Sequence, residues 1–241
     1  MIEQKRSLIL EENIKLHKSE AYFYEVIHPF TFNVIRQTRL RNEAIRLRKI
    51  FNKGDCLVAV DIGSGTGNFA KHLERAGFEV VACELSKDML KNNNALHRIL
   101  CDATFLPLKN NCASAVVAYS VFHHLPNPLQ TLNEVCRIAS YHSALCFYER
   151  SRDSVLPSRK KLLLLLSYFI WLLSKPSYFM RFFEYLFYGR KAHLSYIRHI
   201  DFCLTDGSLV NMERFRRSLV DKEFDVSLFS ELGTTILRAY R

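Results

Sequence analysis

The segment that most constrains the fold is Val58-Ala-Val-Asp-Ile-Gly-Ser-Gly-Thr-Gly-Asn-Phe69. Apolar residues lead into Asp61, and Asn68 opens a helical pattern that continues to residue 76. Three glycines stand between them at alternate positions: Gly63, Gly65 and Gly67. A strand, a glycine turn and a helix in this order form the nucleotide pocket of an α/β sheet. Because glycine has no Cβ, the turn can adopt positive φ and approach a ligand closely.

Strand-like and helix-like segments alternate after this motif over about 90 residues, which predicts a doubly wound, mostly parallel sheet. The segment 113–119 is rich in Val and Ala, as expected of a strand that is buried on both faces. The predicted strands are 56–60, 78–83, 98–101, 113–119, 142–148, 224–229 and 234–241. The predicted helices of the core are 68–75, 87–92, 129–139 and 212–220.

The chain divides into four predicted parts. Residues 1–53 form an N-terminal helical arm, and 54–150 form the α/β core. Residues 151–207 are a helical insertion that the sheet pattern does not need, and 208–241 return to the sheet. Within the arm a helix is predicted over 31–51, with its apolar side chains on one face.

The positive charge is concentrated outside the core. The chain has a net charge of +10, to which residues 150–217 contribute +8 and residues 1–53 contribute +5, whereas residues 54–149 carry −2. A basic flank can bind nucleic acid, anionic lipid or an acidic substrate, and solubility alone is the plain alternative. The seven cysteines form no Cys-x-x-Cys pair, so we interpret them as small buried residues of a cytoplasmic protein without a metal site.

Two acidic residues follow the next strands at intervals that suit a nucleotide. Glu84 stands at the end of the second strand, where a carboxylate can accept hydrogen bonds from both ribose hydroxyls. Asp102 opens the segment Cys101-Asp-Ala-Thr-Phe-Leu-Pro-Leu108, directly after the third strand. The alternatives are a solvated acid at Glu84 and a simple turn cap at Asp102.

These motifs together resemble class I S-adenosylmethionine (SAM)-dependent methyltransferases. The glycine spacing, Glu84 and Asp102 match that family, and Ala118-Tyr-Ser-Val-Phe-His-His-Leu-Pro-Asn-Pro128 resembles the small-molecule group that includes ubiquinone and menaquinone C-methyltransferases. The resemblance covers about residues 55–150 and, more loosely, 212–241. It implies SAM as the cofactor and a seven-stranded sheet that ends in an antiparallel hairpin.

The resemblance also implies which residues bind the cofactor. Glu84 would hold the ribose, Asp102 and the N–H of Ala103 the adenine, and Ser120 and Val121 would border the methionine part. Asp61 would order the loop or accept from the ammonium group. The full predicted set is Asp61, Gly63, Ser64, Gly65, Gly67, Asn68, Glu84, Leu85, Asp102, Ala103, Ser120 and Val121.

The candidate catalytic residues are His123, His124 and Glu149. The methyl group of SAM is already activated, so such an enzyme mainly positions the reactants and excludes water. A general base is needed only where the acceptor must lose a proton, and neutral histidine suits that role. The alternatives are packing for the two histidines and a surface acid for Glu149. Tyr22, Tyr24 and His28 of the arm either cover the cofactor or belong to the core.

The insertion is the distinctive part of the chain. No charged residue lies between Lys161 and Lys175, yet an apolar helix of about 12 residues spans only about 18 Å, less than the ~30 Å hydrocarbon layer. Ten of the chain's aromatic residues lie within 168–188 and basic residues flank them, which suits a membrane interface through 160–190. A lid over a lipophilic acceptor, a homodimer interface and extra core on the sheet all remain open.

The predicted function is methyl transfer from SAM to a small, lipophilic acceptor. A water-soluble small acceptor and a non-catalytic SAM-binding subunit are the alternatives. Nucleic acid is disfavoured because Ser120-Val-Phe-His123 stands where base methyltransferases carry an Asn/Asp-Pro-Pro-Tyr motif.

Overall fold

The computed structural model describes residues 2–150, 157–195, 211–231 and 234–241. Its centre is a seven-stranded sheet of order β3-β2-β1-β4-β5-β7-β6. β1 to β5 are parallel, and β7 runs antiparallel between β5 and β6, which confirms the predicted doubly wound sheet and its C-terminal hairpin. The strands are β1 Val58–Ile62, β2 Glu79–Glu84, β3 His97–Leu100, β4 Ala113–Tyr119, β5 Ala139–Arg150, β6 Asp225–Glu231 and β7 Thr234–Tyr240.

Helices cover both faces of the sheet. They are α1 Ile2–Glu20, α2 Tyr24–Ile27, α3 Val34–Arg48, α4 Ala70–Ala76, α5 Lys87–Lys91, α6 Pro128–Ile138, α7 Ser158–Leu173, α8 Pro176–Tyr188 and α9 Met212–Val220. α3 begins three residues later than predicted, because the side chain of Asn33 accepts a hydrogen bond from the N–H of Arg36 and caps the helix. α4 likewise begins at Ala70 rather than Asn68, since the glycine turn extends to Phe69.

Two apolar layers hold the sheet between the helices. On one face, side chains of β1, β4 and β5 such as Val60 and Phe147 pack against Leu132 of α6 and Phe215 of α9. On the other face, Leu40, Ala44 and Leu47 of α3 and Leu73 of α4 are fully buried. Burial of this apolar surface is the main favourable term in folding. The predicted apolar face of the 31–51 helix is thus one wall of the core.

The arm lies between the core and the insertion. Phe32 is fully buried in a third cluster with Tyr168, Trp171 and Leu172 of α7, and the hydroxyl of Tyr168 donates to the carbonyl of Val26 at 2.7 Å. α7 also packs against α3, and α8 packs against α2. The predicted domain boundaries at 151 and 207, and the hairpin tip at 232–233, lie outside the described residues.

Candidate active site

A cleft that is open to solvent lies at the carboxyl ends of β1, β2, β3 and β4. This is the edge at which ligands bind in open α/β sheets. Eight predicted cofactor residues line it, namely Gly63, Gly65, Glu84, Leu85, Asp102, Ala103, Ser120 and Val121, and so does His124. The remaining lining residues are Leu10, Asn13, His17, Tyr24, Cys83, Met89, Cys101, Tyr119 and Leu125. The position of the cleft suits a small organic ligand.

The glycine turn fits closely beneath this cleft. Gly63 has a φ of 60°, and a Cβ added there would lie 2.5 Å from Cγ2 of Val121. Gly65 has a φ of 53°, and its N–H donates to Oε2 of Glu84 at 2.8 Å. Residues other than glycine rarely adopt this positive φ. Residues with a Cβ at either position would therefore strain the turn, and at Gly63 would also displace the wall of the cleft.

Glu84 is a buried carboxylate that the chain satisfies only in part. Oε1 accepts from the N–H of Ser86 at 2.8 Å, and Oε2 accepts from Gly65. Burial raises the pKa of Glu84, and the backbone N–H groups of Ser86 and Gly65 oppose that rise. The backbone N–H of Leu85 also favours the ionised form of Glu84. A carboxylate offers about four acceptor positions, so it can still accept from a ligand hydroxyl. This acceptor fits the ribose of a nucleoside cofactor.

Asp61 supports the glycine turn from below. Its Oδ2 accepts from the N–H of Ala70 at 3.0 Å, so it caps the first turn of α4, and its side chain is buried. Burial raises the pKa of Asp61 to about 8; the bond from Ala70 opposes the rise, and the nearby charge of Glu84 adds to it. Asp61 does not line the cleft, and its bond to Ala70 orders the loop. A contact between Asp61 and the ammonium group of SAM stays a prediction.

Three further predicted residues hold the turn rather than line the cleft. Ser64 Oγ accepts from Nδ2 of Asn93 at 3.0 Å, and a Cβ at Gly67 would meet Oδ1 of Asn93 at 2.7 Å. Asn68 Oδ1 accepts from Nε2 of Gln37 at 2.8 Å, which ties the turn to α3. Their contacts explain why polar and small residues occupy these positions, and their roles toward a cofactor stay predictions.

Asp102 makes contacts that the sequence did not reveal. Its Oδ1 accepts from both the N–H and the hydroxyl of Thr104 at 2.8 Å, so it does cap a turn. Its Oδ2 is ion-paired with the guanidinium of Arg6 in α1, and Arg6 also donates to the Thr104 hydroxyl at 3.0 Å. An adenine amino group at Asp102 would therefore share Oδ2 with Arg6 or replace it.

The end of β4 is fixed by a buried acid. Oε1 of Glu149 accepts from the N–H groups of Val121 and Phe122 at 2.8 and 2.7 Å, and its Oε2 lies 2.7 Å from Nδ1 of His123. Glu149 is 1 % exposed, and neither it nor His123 lines the cleft. The structure thus places Glu149 and His123 behind the wall and His124, of the three candidates, on the cleft. The catalytic roles of all three stay predictions.

α1 supplies a wall that the sequence interpretation missed. Leu10, Asn13 and His17 line the cleft, and Nδ2 of Asn13 donates to the carbonyl of His124 at 2.9 Å. The rings of His17 and His124 are 5.7 Å apart, and those of His17 and Tyr24 are 6.0 Å apart. The spacing i, i+3, i+7 places these three α1 residues on one face, which is the signal that could have found them.

Comparison with known proteins agrees with this site. Residues 60–147 match the methyltransferase domain family. The chain is 40% identical over 72 residues to an uncharacterized methyltransferase from Alkaliphilus oremlandii, a stretch that covers 28% of this chain and 33% of that protein. The chain thus matches about a third of the length of its curated relative.

Residues 60–147 are thus similar to a methyltransferase domain, and the sheet has the class I methyltransferase fold.

Solved structures share the fold of the methyltransferase domain and its flanks. A SAM-dependent methyltransferase from Mesorhizobium loti aligns with a TM-score of 0.52 at 12% identity, over 81% of this chain and 96% of that one. A Thermotoga maritima protein described as a possible histamine N-methyltransferase gives 0.51 at 16% identity, over 83% and 88%. A SAM-dependent methyltransferase from Aquifex aeolicus aligns with a TM-score of 0.50 at 15% identity, over 82% of this chain and 89% of that one. All three solved proteins are described as SAM-dependent methyltransferases. In this chain, the glycine turn permits the close approach of a ligand, and the carboxylate of Glu84 fits the ribose of SAM.

Proposed function

We propose that this protein transfers a methyl group from SAM to a small, mainly apolar acceptor that binds between the cofactor loops and α1. The observation that carries the proposal is the wall of the cleft opposite the glycine turn. Leu10, Tyr24 and Leu125 give that wall apolar surface, and His17 and His124 give it imidazoles. An apolar pocket with a few convergent polar groups is the usual form of a small-molecule site.

The chain's own part in the reaction would be positioning. SAM, when bound, supplies a methyl group that is already activated on a sulfonium. Glu84 and the glycine turn would hold the cofactor, while α1 closes the opposite side and limits the access of water. His17 or His124 would accept a proton from an acceptor O–H or N–H, since neutral imidazole is a suitable base near neutral pH.

The test separates the acceptor classes. Purified protein is incubated with radiolabelled SAM and, in separate reactions, with lipid and quinone extracts, aqueous metabolite extracts or total RNA, after calorimetry has shown that SAM binds. Label in the organic phase is the expected result. Label only in the aqueous phase would replace the apolar acceptor by a water-soluble one, and label in RNA would revive a nucleic-acid substrate. SAM binding without turnover on any extract would support the accessory-subunit alternative.

A matched pair of variants ties the acceptor to α1. Leu10 lines the cleft, whereas Leu8 on the same helix is 66% exposed and does not. Leu10→Glu is expected to lower methyl transfer at least tenfold with SAM affinity kept, because a charge would enter the apolar wall. Leu8→Glu should leave both unchanged. Equal losses in the two variants would place the acceptor elsewhere.

The cytoplasmic location of the protein stays a prediction, as does the homodimer.

A further inference from the structure

α7 exposes a long apolar stripe. Six large apolar side chains, each at least 49% exposed, follow one face of the helix: Leu162, Leu163, Leu166, Phe169, Ile170 and Leu173. Their spacing repeats at three and four residues, which keeps them on the same side. Scattered apolar side chains are normal on a protein surface, but a contiguous stripe of this length marks an interaction site.

The opposite face of α7 is already used. Leu164, Tyr168, Trp171 and Leu172 are at most 5% exposed and pack against the arm around Phe32. α7 is therefore apolar on two sides, of which folding buries one. A helix that is apolar all round is found in a core or in contact with lipid. The exposed stripe is thus a second apolar face of α7, in addition to the face that packs against the arm.

α8 continues the exposed apolar surface beyond the turn at Ser174–Lys175. Met180, Phe183, Leu186, Phe187 and Tyr188 are between 43% and 81% exposed. The ring of Phe169 in α7 lies 6.4 Å from that of Phe182, which lies 6.1 Å from Phe183, so aromatic contacts join the two helices. Aromatic residues are enriched where a membrane meets water.

Cations border this surface. Within 157–195 there are seven Lys and Arg residues and one acid, Glu184, a net charge of +6. Arg159, Lys160 and Lys161 are exposed at the start of α7, Lys175 at the turn, and Arg190 and Lys191 beyond α8. Each Lys or Arg near an anionic bilayer surface adds to the attraction. Their positions at the edges of the apolar stripe match an interfacial helix.

We propose that the α7–α8 hairpin docks this protein on the surface of an anionic lipid bilayer. No single helix among the described residues is long and apolar enough to cross a membrane; α7 and α8 meet that test only together, and they are bent by 112°. Their lengths of about 24 and 20 Å are below the ~30 Å hydrocarbon core. A second copy on the same face would bring two sets of the same cations together, which disfavours it.

Docking on a membrane through α7 and α8 is independent of the proposed methyl transfer. None of the described residues of the hairpin lines the cleft, and vesicle binding is measured without methyl transfer. The experiment is co-flotation of the purified chain with vesicles of phosphatidylcholine or of phosphatidylcholine and phosphatidylglycerol in equal parts. Binding to the anionic vesicles is expected, with weaker binding to neutral ones and a decline as salt rises from about 0.1 to 0.5 M.

Two matched double variants test the surface itself. Leu163→Glu with Leu166→Glu places two charges on the stripe and is expected to lower partitioning at least about tenfold. Leu8→Glu with Leu96→Glu adds the same charges at exposed leucines outside the hairpin and should bind like the original chain. Emission of Trp171, the only tryptophan, checks that the buried face of α7 stays packed.

Three results would overturn the proposal. They are absence of binding to anionic vesicles, equal losses in the two double variants, and a dimer in light scattering that Leu163→Glu with Leu166→Glu converts to monomer while no vesicle binding is seen. The last result would assign the stripe to a second copy of the chain.

Discussion

The buried Glu149 pairs with the partly buried His123 behind the cleft, with Oε2 of Glu149 2.7 Å from Nδ1 of His123. The other carboxylate oxygen accepts the N–H groups of Val121 and Phe122, so one acid at the end of β5 fixes the whole turn after β4. Ser120, with a φ of 56°, begins that turn and donates its N–H to the carbonyl of Tyr148 at 2.7 Å. Val121 touches both the cleft and Gly63, so a displaced turn would change the cofactor side of the site.

Replacement of Glu149 should therefore lower the stability of the protein. Glu149→Ala leaves two buried N–H groups without an acceptor and is expected to lower the free energy of unfolding by about 3 kcal/mol. Glu149→Gln keeps one oxygen for those groups and should lose clearly less. Denaturant unfolding of the two variants measures the difference. If both variants were as stable as the original chain, Glu149 would have no positioning role.

Glu84 is expected to carry much of the cofactor affinity. Glu84→Ala removes charge-assisted hydrogen bonds worth about 1–3 kcal/mol, which corresponds to SAM binding weakened about five- to 150-fold. Calorimetry on variants with intact circular dichroism measures this. Glu79→Ala, at the exposed start of the same strand, is the control and should bind SAM normally. Unchanged affinity in Glu84→Ala would contradict the assignment of Glu84 to the ribose.

The sequence predicted the sheet and the cofactor edge because both depend on local patterns. Alternating apolar runs, the glycine spacing and the acids at strand ends are readable within short windows, and β4 and α9 have the predicted bounds. What it could not give was the partner of Asp102, since Arg6 is 96 residues away and pairs with it only through the fold. The contacts of Glu149 were hidden in the same way, because strand position does not reveal that its oxygens accept from Val121 and Phe122 and lie beside His123. A catalytic role of Glu149 stays a prediction.

The stability of the protein should depend on pH through Asp61. Its pKa is about 8 in the native state, whereas an unfolded aspartate titrates near a pKa of about 3.9. Between about pH 4 and 8 the native state thus keeps a proton that the unfolded state has released. The free energy of unfolding therefore falls as pH rises through this window and levels off above it.

The comparison with Asp61→Asn isolates that contribution of Asp61. Asparagine keeps an oxygen for the N–H of Ala70 but does not titrate, so the difference in unfolding free energy between the original chain and the variant should shift in favour of the variant from pH 4 to 8. Asp55→Asn, which makes the same replacement at an exposed aspartate, is the matched control. A difference that stays constant with pH would show that Asp61 is ionised in the native state.

Arg6 is expected to compete with the cofactor for Asp102. The ion pair engages Oδ2 of Asp102, and the Arg6 side chain is 41% exposed. A pair of this exposure is worth at most about 1 kcal/mol. Arg6→Met should then tighten SAM binding by up to about fivefold, because Oδ2 would be released for an amino donor.

Lys18→Met removes an exposed cation from the same helix and controls for the general loss of charge. Calorimetry at one ionic strength measures both variants. If Arg6→Met weakened binding while Lys18→Met did not, Arg6 would belong to the cofactor site, and α1 would close over the ligand with its charge.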